Sequence, residues 1–199
     1  MNLKPGDFPR EHGVCRELLE GGKDARMPLV FVGRDQPNSF AYLPAGSEHV
    51  EESFQEALSN LARLELEAVP HEIAGVSMFV VSGHFYASEK ILDESFMMGL
   101  QRRLGAELLA AAVPYKGLLL VTEQVVPPGI AGFVAAATVL HGNSEGAPPL
   151  SPIVFLVKDG KVVGHIATDG KKPDGVKKAA ERKPGFWSRL FGGGSETVH

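Results

Sequence analysis

The stretch that most constrains the fold is residues 76–123, which carries the densest apolar patterning in the chain. It begins with VSMFVVS, a nearly all-apolar run typical of a strand buried on both faces. After a break at Gly83-His84, apolar residues recur every four positions from Leu92 to Leu104, which predicts an amphipathic helix capped by Ser88 and ended by Gly105. Two short strands around a turn at Pro114–Gly117 complete it. A helix packed on a sheet follows from this pattern.

The segments on either side supply further helices and strands. Apolar spacing predicts two helices in addition to the central one at 89–104. The first covers 48–64, with Ser47 as its N-cap, and the second covers 129–141, with Gly142 or Asn143 as its C-cap. A weaker pattern predicts a covering helix at 11–20. Short β-rich runs predict strands at 28–34, 39–43, 76–82, 85–87, 107–113, 118–122, 153–157 and 162–166, the last two joined by Asp159-Gly160.

These elements predict an α+β fold. We expect a single domain over residues 1–168, with a mixed, mostly antiparallel sheet of six or seven strands and about three helices packed on it. From Thr168 onward the composition changes to Lys and Gly without lasting periodicity, which predicts a flexible C-terminal tail over 169–199.

Composition excludes several classes of protein. A formal charge of −4 and a pI of about 6.0 argue against general electrostatic binding of nucleic acid. The only cysteine, Cys15, permits neither an internal disulfide nor a cysteine-rich zinc site. The N-terminal residues show no apolar signal segment, and no run approaches the roughly 20 apolar residues of a membrane span. These features predict a cytoplasmic protein.

Candidate chemistry is sparse. None of the seven histidines shows the spacing of a zinc-ligand pair, and Gly192–Gly194 lacks the strand and helix that flank a phosphate loop. We therefore expect no metal and no cofactor. His84, at a strand break with Tyr86 and Ser88 after it, is the best placed general base, although an ordinary turn explains it too. Asp93 and Glu94 are explained by the dipole of the helix that they begin.

The tail carries the strongest binding signal in the sequence. Within KPGFWSRLFG (183–192), aromatic, aliphatic and basic residues alternate, and the only tryptophan of the chain is among them. Exposed aromatic side chains are costly, so three explanations compete: the tail packs on its own domain, it enters a groove of a protein partner, or it lies at an anionic membrane surface. The candidate partner-binding residues are Phe186, Trp187, Arg189, Leu190 and Phe191.

Several short motifs are similar to those of a family of bacterial proteins. They are EALSNL (56–61), FYAS (85–88), AVPYKGLL (112–119), PLSP (149–152) and the final Asp-Gly turn. In this order, over residues 28–167, they resemble the YtpQ-like family of uncharacterised bacterial proteins. The family's pattern favours Arg-Asp after the proline, where this chain has Tyr115-Lys116-Gly117. The resemblance implies a fold class and a cytoplasmic location, and no reaction.

Two functional hypotheses follow. The first is a non-enzymatic interaction or adaptor module that binds a protein partner through its sheet face or its C-terminal tail. The second is an enzyme of unassigned class with a site near His84–Ser88 or Pro114–Gly117. The absence of a catalytic constellation favours the first. The oligomeric state does not follow from the sequence.

Overall fold

The computed structural model describes residues 13–19, 26–36, 39–73, 75–144 and 146–166. The predicted tail, 169–199, lies outside these residues, as do Phe186, Trp187, Arg189, Leu190 and Phe191. The helices are α1 (Val50–Arg63), a 3₁₀ helix (Ser88–Leu92), α2 (Glu94–Leu104) and α3 (Gly129–Gly142). The strands are β1 (Cys15–Glu17), β2 (Leu29–Phe31), β3 (Gly33–Gln36), β4 (Ser39–Tyr42), β5 (Ala68–Ile73), β6 (Val76–Val81), β7 (Leu108–Ala112), β8 (Leu119–Thr122), β9 (Val154–Lys158) and β10 (Lys161–Ile166).

Six strands form one sheet in the order β10-β9-β7-β8-β6-β5. Every neighbouring pair in it is antiparallel. The predicted α+β class is confirmed, with three α-helices and a sheet more regular than the mixed one expected. The four inner strands are buried on both faces, as their near-continuous apolar sequences predict. Among the described residues, most side chains of these four strands are therefore hidden from solvent on both faces.

One face of the sheet packs against the 3₁₀ helix and α2. Its core consists of alternate residues of the strands, because successive side chains of a strand point to opposite faces. Ile91, Met97 and Leu100 contribute the helical side of this core. The strand residues in it are Ala68, Phe79, Val81, Leu109, Ala111, Leu119, Val121, Phe155 and Val157.

The opposite face is covered by α3. Its buried residues Phe133, Ala136, Ala137 and Leu140 lie on one side of the helix. Gly132 lies so close to the sheet that an added Cβ would be 2.4 Å from a methyl group of Val76. Small residues thus permit the close helix–sheet packing that the alanine run predicts. The C-terminal cap differs from the prediction, because Asn143 has a φ of −125° and is not left-handed.

The N-terminal part corrects one expectation. The predicted helix at 11–20 is wrong, since Cys15–Glu17 forms β1 and pairs with β2. The N-terminal strands also stay out of the main sheet and form two small antiparallel sheets, β1-β2 and β3-β4. They pack on α1, where Val14, Val32 and Phe54 form a separate small core. Burial of Val14 with distant residues outweighs the weak helical pattern of the segment.

The predicted helix ends need correction at α1 and α2. Helix α1 begins after His49, which is left-handed with a φ of 60°, whereas the Ser47 hydroxyl donates to the Pro44 carbonyl at 2.6 Å. The predicted helix at 89–104 is divided, and Asp93 rather than Ser88 caps α2 by accepting from the Phe96 amide at 3.0 Å. The predicted strand at 85–87 is a turn. Gly105 ends α2 in the left-handed conformation, as predicted, with a φ of 64°.

Both edge strands of the main sheet carry features that oppose pairing with other chains. The sequence did not reveal β5, whose side chains are mostly exposed and which contains Pro70, a residue without a donor. At the other edge, the register of β10 shifts between Val162 and Gly164. A proline and a bulge are two of the devices that protect edges from aggregation.

The turn between β9 and β10 fixes the final hairpin, and a glycine substitution tests it. Asp159 and Gly160 both have positive φ, at 51° and 77°, as Asp-Gly turns of this kind require. A Cβ on Gly160 would lie 2.4 Å from the Glu94 carbonyl oxygen, at the start of α2. We expect Gly160→Ala to lower the free energy of unfolding by about 1–3 kcal/mol more than Gly75→Ala does.

Gly75 is the matched control because its φ is also 77° and nothing lies within 4 Å of an added Cβ. Both variants share the backbone strain of about 1–2 kcal/mol, so their difference isolates the contact with α2. Urea unfolding followed by far-ultraviolet circular dichroism measures it. An equal decrease in the free energy of unfolding for the two variants would show that Gly160 is not in close contact with α2.

A second prediction concerns pH. Partial burial lowers the pKa of His141 at the end of α3. Because the folded pKa lies below the unfolded value of about 6.5, the unfolded chain binds more protons in mild acid, and stability falls as the pH drops from 7 through that value. We expect His141→Gln to flatten this part of the stability–pH curve. The same slope in the wild type and the variant would contradict the assignment.

Candidate functional site

The two segments singled out by the sequence, His84–Ser88 and Pro114–Gly117, lie side by side. The Gly117 amide donates to the Ser88 hydroxyl oxygen at 3.1 Å, and that hydroxyl donates to the Glu89 carboxylate at 2.7 Å. The ammonium of Lys116 forms an ion pair with the same carboxylate. One serine and one glutamate thus join the strand break after β6 to the turn between β7 and β8.

The surface formed at this junction is aromatic and cationic, and we call His84, Phe85, Tyr86 and Lys116 the aromatic platform. The Phe85 side chain is 57% exposed. Its ring meets that of Tyr86 edge-on at 5.1 Å. The Lys116 ammonium lies 4.2 Å from the Phe85 ring centre and 4.9 Å from that of Tyr86. These distances are typical of cation–π contacts, which attract the ammonium to the ring faces.

Two glycines make the platform possible. Gly83 follows β6 and has a φ of 85°, a left-handed conformation that glycine adopts readily. Gly117 has the same φ, and an added Cβ there would lie 3.2 Å from the His84 carbonyl oxygen. A larger residue would push the two segments apart, so the sequence specifies their close approach.

A third segment borders the platform. The Lys116 amide donates to the Pro148 carbonyl at 2.9 Å, and the Leu150 amide donates to the Pro114 carbonyl at 3.0 Å. The Leu150 side chain in this segment is 36% exposed. The loop that follows α3 is therefore held against the β7–β8 turn by backbone hydrogen bonds.

The geometry does not pair His84 with a nucleophile. Its Nδ1 accepts a hydrogen bond from the Tyr86 amide at 3.1 Å, which orients the ring toward a backbone group. Ser88 is buried, and its hydroxyl is engaged by Glu89 and Gly117. Among the described residues, no group of three or more His, Cys, Asp and Glu side chains is placed to share a metal ion.

Sequence reasoning missed Lys90, which lies on the other side of the 3₁₀ helix. This lysine is 2% exposed. Its ammonium donates to the Asp93 carboxylate at 2.7 Å and to the Leu61 carbonyl at 2.8 Å. It also lies 5.2 Å from the centre of the Phe96 ring. In the sequence, only the i, i+3 spacing of Lys90 and Asp93 indicates that they form a pair. Their burial was not predictable, because it depends on the end of α1.

A cleft opens beside this buried pair. It has a volume of about 650 Å³ and is formed by the end of α1, the segment that follows it, the 3₁₀ helix and the first turn of α2. Its lining residues are Ala62, Leu64, Glu65, Leu66, Glu67, Lys90, Asp93, Ser95 and Phe96.

Comparisons with known proteins add nothing to the site. No family model, curated protein or solved structure matches the chain. The resemblance to the YtpQ-like family and the domain boundary near residue 168 stay predictions. In the part of the chain that the structure describes, no helix has the length and apolar character needed to span a bilayer.

The buried pair yields a stability prediction. Lys90→Met leaves the Asp93 carboxylate buried without a cationic partner, so we expect the free energy of unfolding to fall by about 3–5 kcal/mol. Adding Asp93→Asn removes that charge and keeps an oxygen for the Phe96 amide, so the double variant should be more stable than Lys90→Met alone. Urea unfolding monitored by circular dichroism measures both variants. A double variant no more stable than the single one would show that Asp93 does not depend on Lys90.

Proposed function

We propose that the protein is a non-enzymatic interaction module that binds a protein partner through its aromatic platform, in the cytoplasm. The observation that carries the proposal is the exposure of Phe85 on a loop that hydrogen bonds hold to the β7–β8 turn. Large aromatic side chains in fixed positions dominate the binding energy of protein interfaces because they bury much area at little entropic cost.

The hydrogen bonds around the platform support a preformed binding surface. The Ala87 amide donates to the His84 carbonyl at 3.0 Å, which closes the turn that presents Phe85. Glu89 and Lys116 hold the other side of the same turn. A partner therefore meets an aromatic ring on a turn closed by hydrogen bonds, next to the ion pair of Lys116 and Glu89.

The C-terminal tail remains the second contact of this proposal. Phe186, Trp187, Arg189, Leu190 and Phe191 combine aromatic anchors with a basic residue, a composition typical of short motifs that bind a partner's groove or touch an anionic membrane surface. The resemblance to the YtpQ-like family is compatible with this proposal and specifies no activity. For an enzyme near His84–Ser88, the hydrogen bonds of His84 and Ser88 lead to the Tyr86 amide, to Glu89 and to the Gly117 amide, and not from one to the other.

Photo-crosslinking tests the platform directly. A photoreactive benzoylphenylalanine at position 85 should give a defined crosslinked product in a lysate of the source organism. The matched control carries the same residue at position 126, since Val126 is 67% exposed and belongs to no part of the platform. A product of the same yield at both positions would contradict the proposal.

The affinity of the captured partner for variants of the protein measures how much Phe85 contributes to binding. We expect Phe85→Ala to cost roughly 2 kcal/mol or more of binding free energy, the loss typical of a hot-spot residue. The exposed ring contributes little to folding, so the unfolding curve should change little. Deleting residues 184–192 in the same assay separates the two contacts: a crosslink at position 85 that persists assigns binding to the platform, and one that is lost shows that the tail is required.

A further inference from the structure

The aromatic platform surrounds one ammonium group with three groups that attract cations. The Lys116 ammonium lies over the rings of Phe85 and Tyr86, at 4.2 Å and 4.9 Å from their centres. It also forms an ion pair with the Glu89 carboxylate, and the lysine side chain is only 15% exposed. Aromatic faces attract a cation through their quadrupole, and a carboxylate accepts charge-assisted hydrogen bonds from it. Here the cation that fills this site belongs to the chain itself.

The groups around the ammonium are also held by contacts in which Lys116 takes no part. The hydroxyl of Ser88, a residue that is 2% exposed, donates to the second oxygen of Glu89 at 2.7 Å. The Glu89 amide donates to the Tyr86 carbonyl at 3.2 Å. The rings of Phe85 and Tyr86 pack edge-on, with an angle of 79° between their planes. We therefore expect the carboxylate and both rings to keep their places when the Lys116 ammonium is absent.

The Lys116 side chain can leave the site while its backbone stays in place. Its amide donates to the Pro148 carbonyl at 2.9 Å, and this hydrogen bond does not involve the side chain. A lysine ammonium is a compact, strongly hydrated charge on a flexible stem, so it regains water when it turns away from the rings. A second ammonium in its place would make the same kinds of contact with Glu89 and the two rings.

We propose that Phe85, Tyr86 and Glu89 form a binding site for a lysine side chain of the partner, and that Lys116 occupies this site until the partner displaces it. The proposal names the chemistry that a partner presents to the platform, and so rests on the function proposed above. Because Lys116 is tethered beside the site, it competes at high local concentration and lowers the affinity for any external ammonium. Lys116 is thus an autoinhibitory contact, and a partner needs further contacts with the platform to displace it.

The test removes the internal ammonium and supplies an external one. The probes are acetyl-Gly-Lys-Gly-amide and the same peptide with norleucine, which has an uncharged stem, in place of lysine. NMR titration of the full chain at low ionic strength follows the amide signals of Phe85 and Glu89, since salt screens such charge pairs. We expect Lys116→Ala to bind the lysine peptide at least roughly tenfold more tightly than the wild type does, because the competitor is gone. Equal affinity for both peptides, or no gain over the wild type, would overturn the proposal.

Matched variants show whether the gain belongs to this site. Lys161→Ala removes the ammonium of an exposed ion pair with Glu94 and changes the net charge equally, so it should bring no gain. Adding Glu89→Gln to Lys116→Ala should abolish the gain. The same gain in Lys161→Ala would mean that the peptide responds to overall charge, and the proposal would be rejected. If the spectrum of Lys116→Ala shows an unfolded chain, Lys116→Gln, which keeps most of the stem without the charge, takes its place.

The titration and the crosslinking experiment fail independently. A crosslinked product from position 85 without peptide binding to Lys116→Ala would leave the platform as a partner site and reject the lysine site. Peptide binding to Lys116→Ala without a crosslinked product would support the ammonium site and count against a protein partner.

Discussion

One buried ammonium group determines how the helical layer is assembled. Lys90 holds the last turn of α1 through the Leu61 carbonyl and the start of α2 through Asp93, which itself caps that helix. A buried ion pair contributes little net stability compared with apolar residues of the same size. A single buried charge whose partner has been removed, however, strongly lowers the free energy of unfolding. The pair therefore excludes alternative arrangements of α1 and α2 more than it strengthens the observed one. The apolar core on this face of the sheet could tolerate small shifts of a helix, whereas this interaction cannot.

The 3₁₀ helix is consequently the element from which both candidate surfaces are built. Ser88 and Glu89 face the aromatic platform, and Lys90 faces the cleft. In a five-residue helix, neighbouring side chains project in different directions, so one short element can support two sites on opposite sides. Its own backbone is held between α1, α2 and the sheet. The 3₁₀ helix thus holds the residues of both the platform and the cleft in place.

Local patterns were sufficient for the parts of the fold that are specified locally. The inner strands and the Asp159-Gly160 hairpin follow from apolar runs and turn chemistry, and α1 and α3 follow from helical spacing. Several failures depend on strand pairing that the local pattern does not show. Cys15–Glu17 is a strand because Leu29–Phe31, later in the chain, pairs with it. Strand β5 has no apolar run of its own and is a strand because the adjacent β6 pairs with it. The proximity of His84–Ser88 to Pro114–Gly117 was likewise invisible in sequence, although each segment was recognised separately.

The position of β7 in the sheet has a consequence for synthesis of the chain. Strand β7 ends at Ala112, yet one of its two neighbours, β9, begins only at Val154. During translation at roughly 5–20 residues per second, an apolar strand with one unpaired side would thus persist on the ribosome for seconds. Helix α3 emerges in this interval and can shield one face of the strand, but it cannot satisfy the strand's backbone groups. Ribosome-bound intermediates of this length are therefore the species in which we expect chaperones to be needed, long before the protected edges of the finished sheet exist.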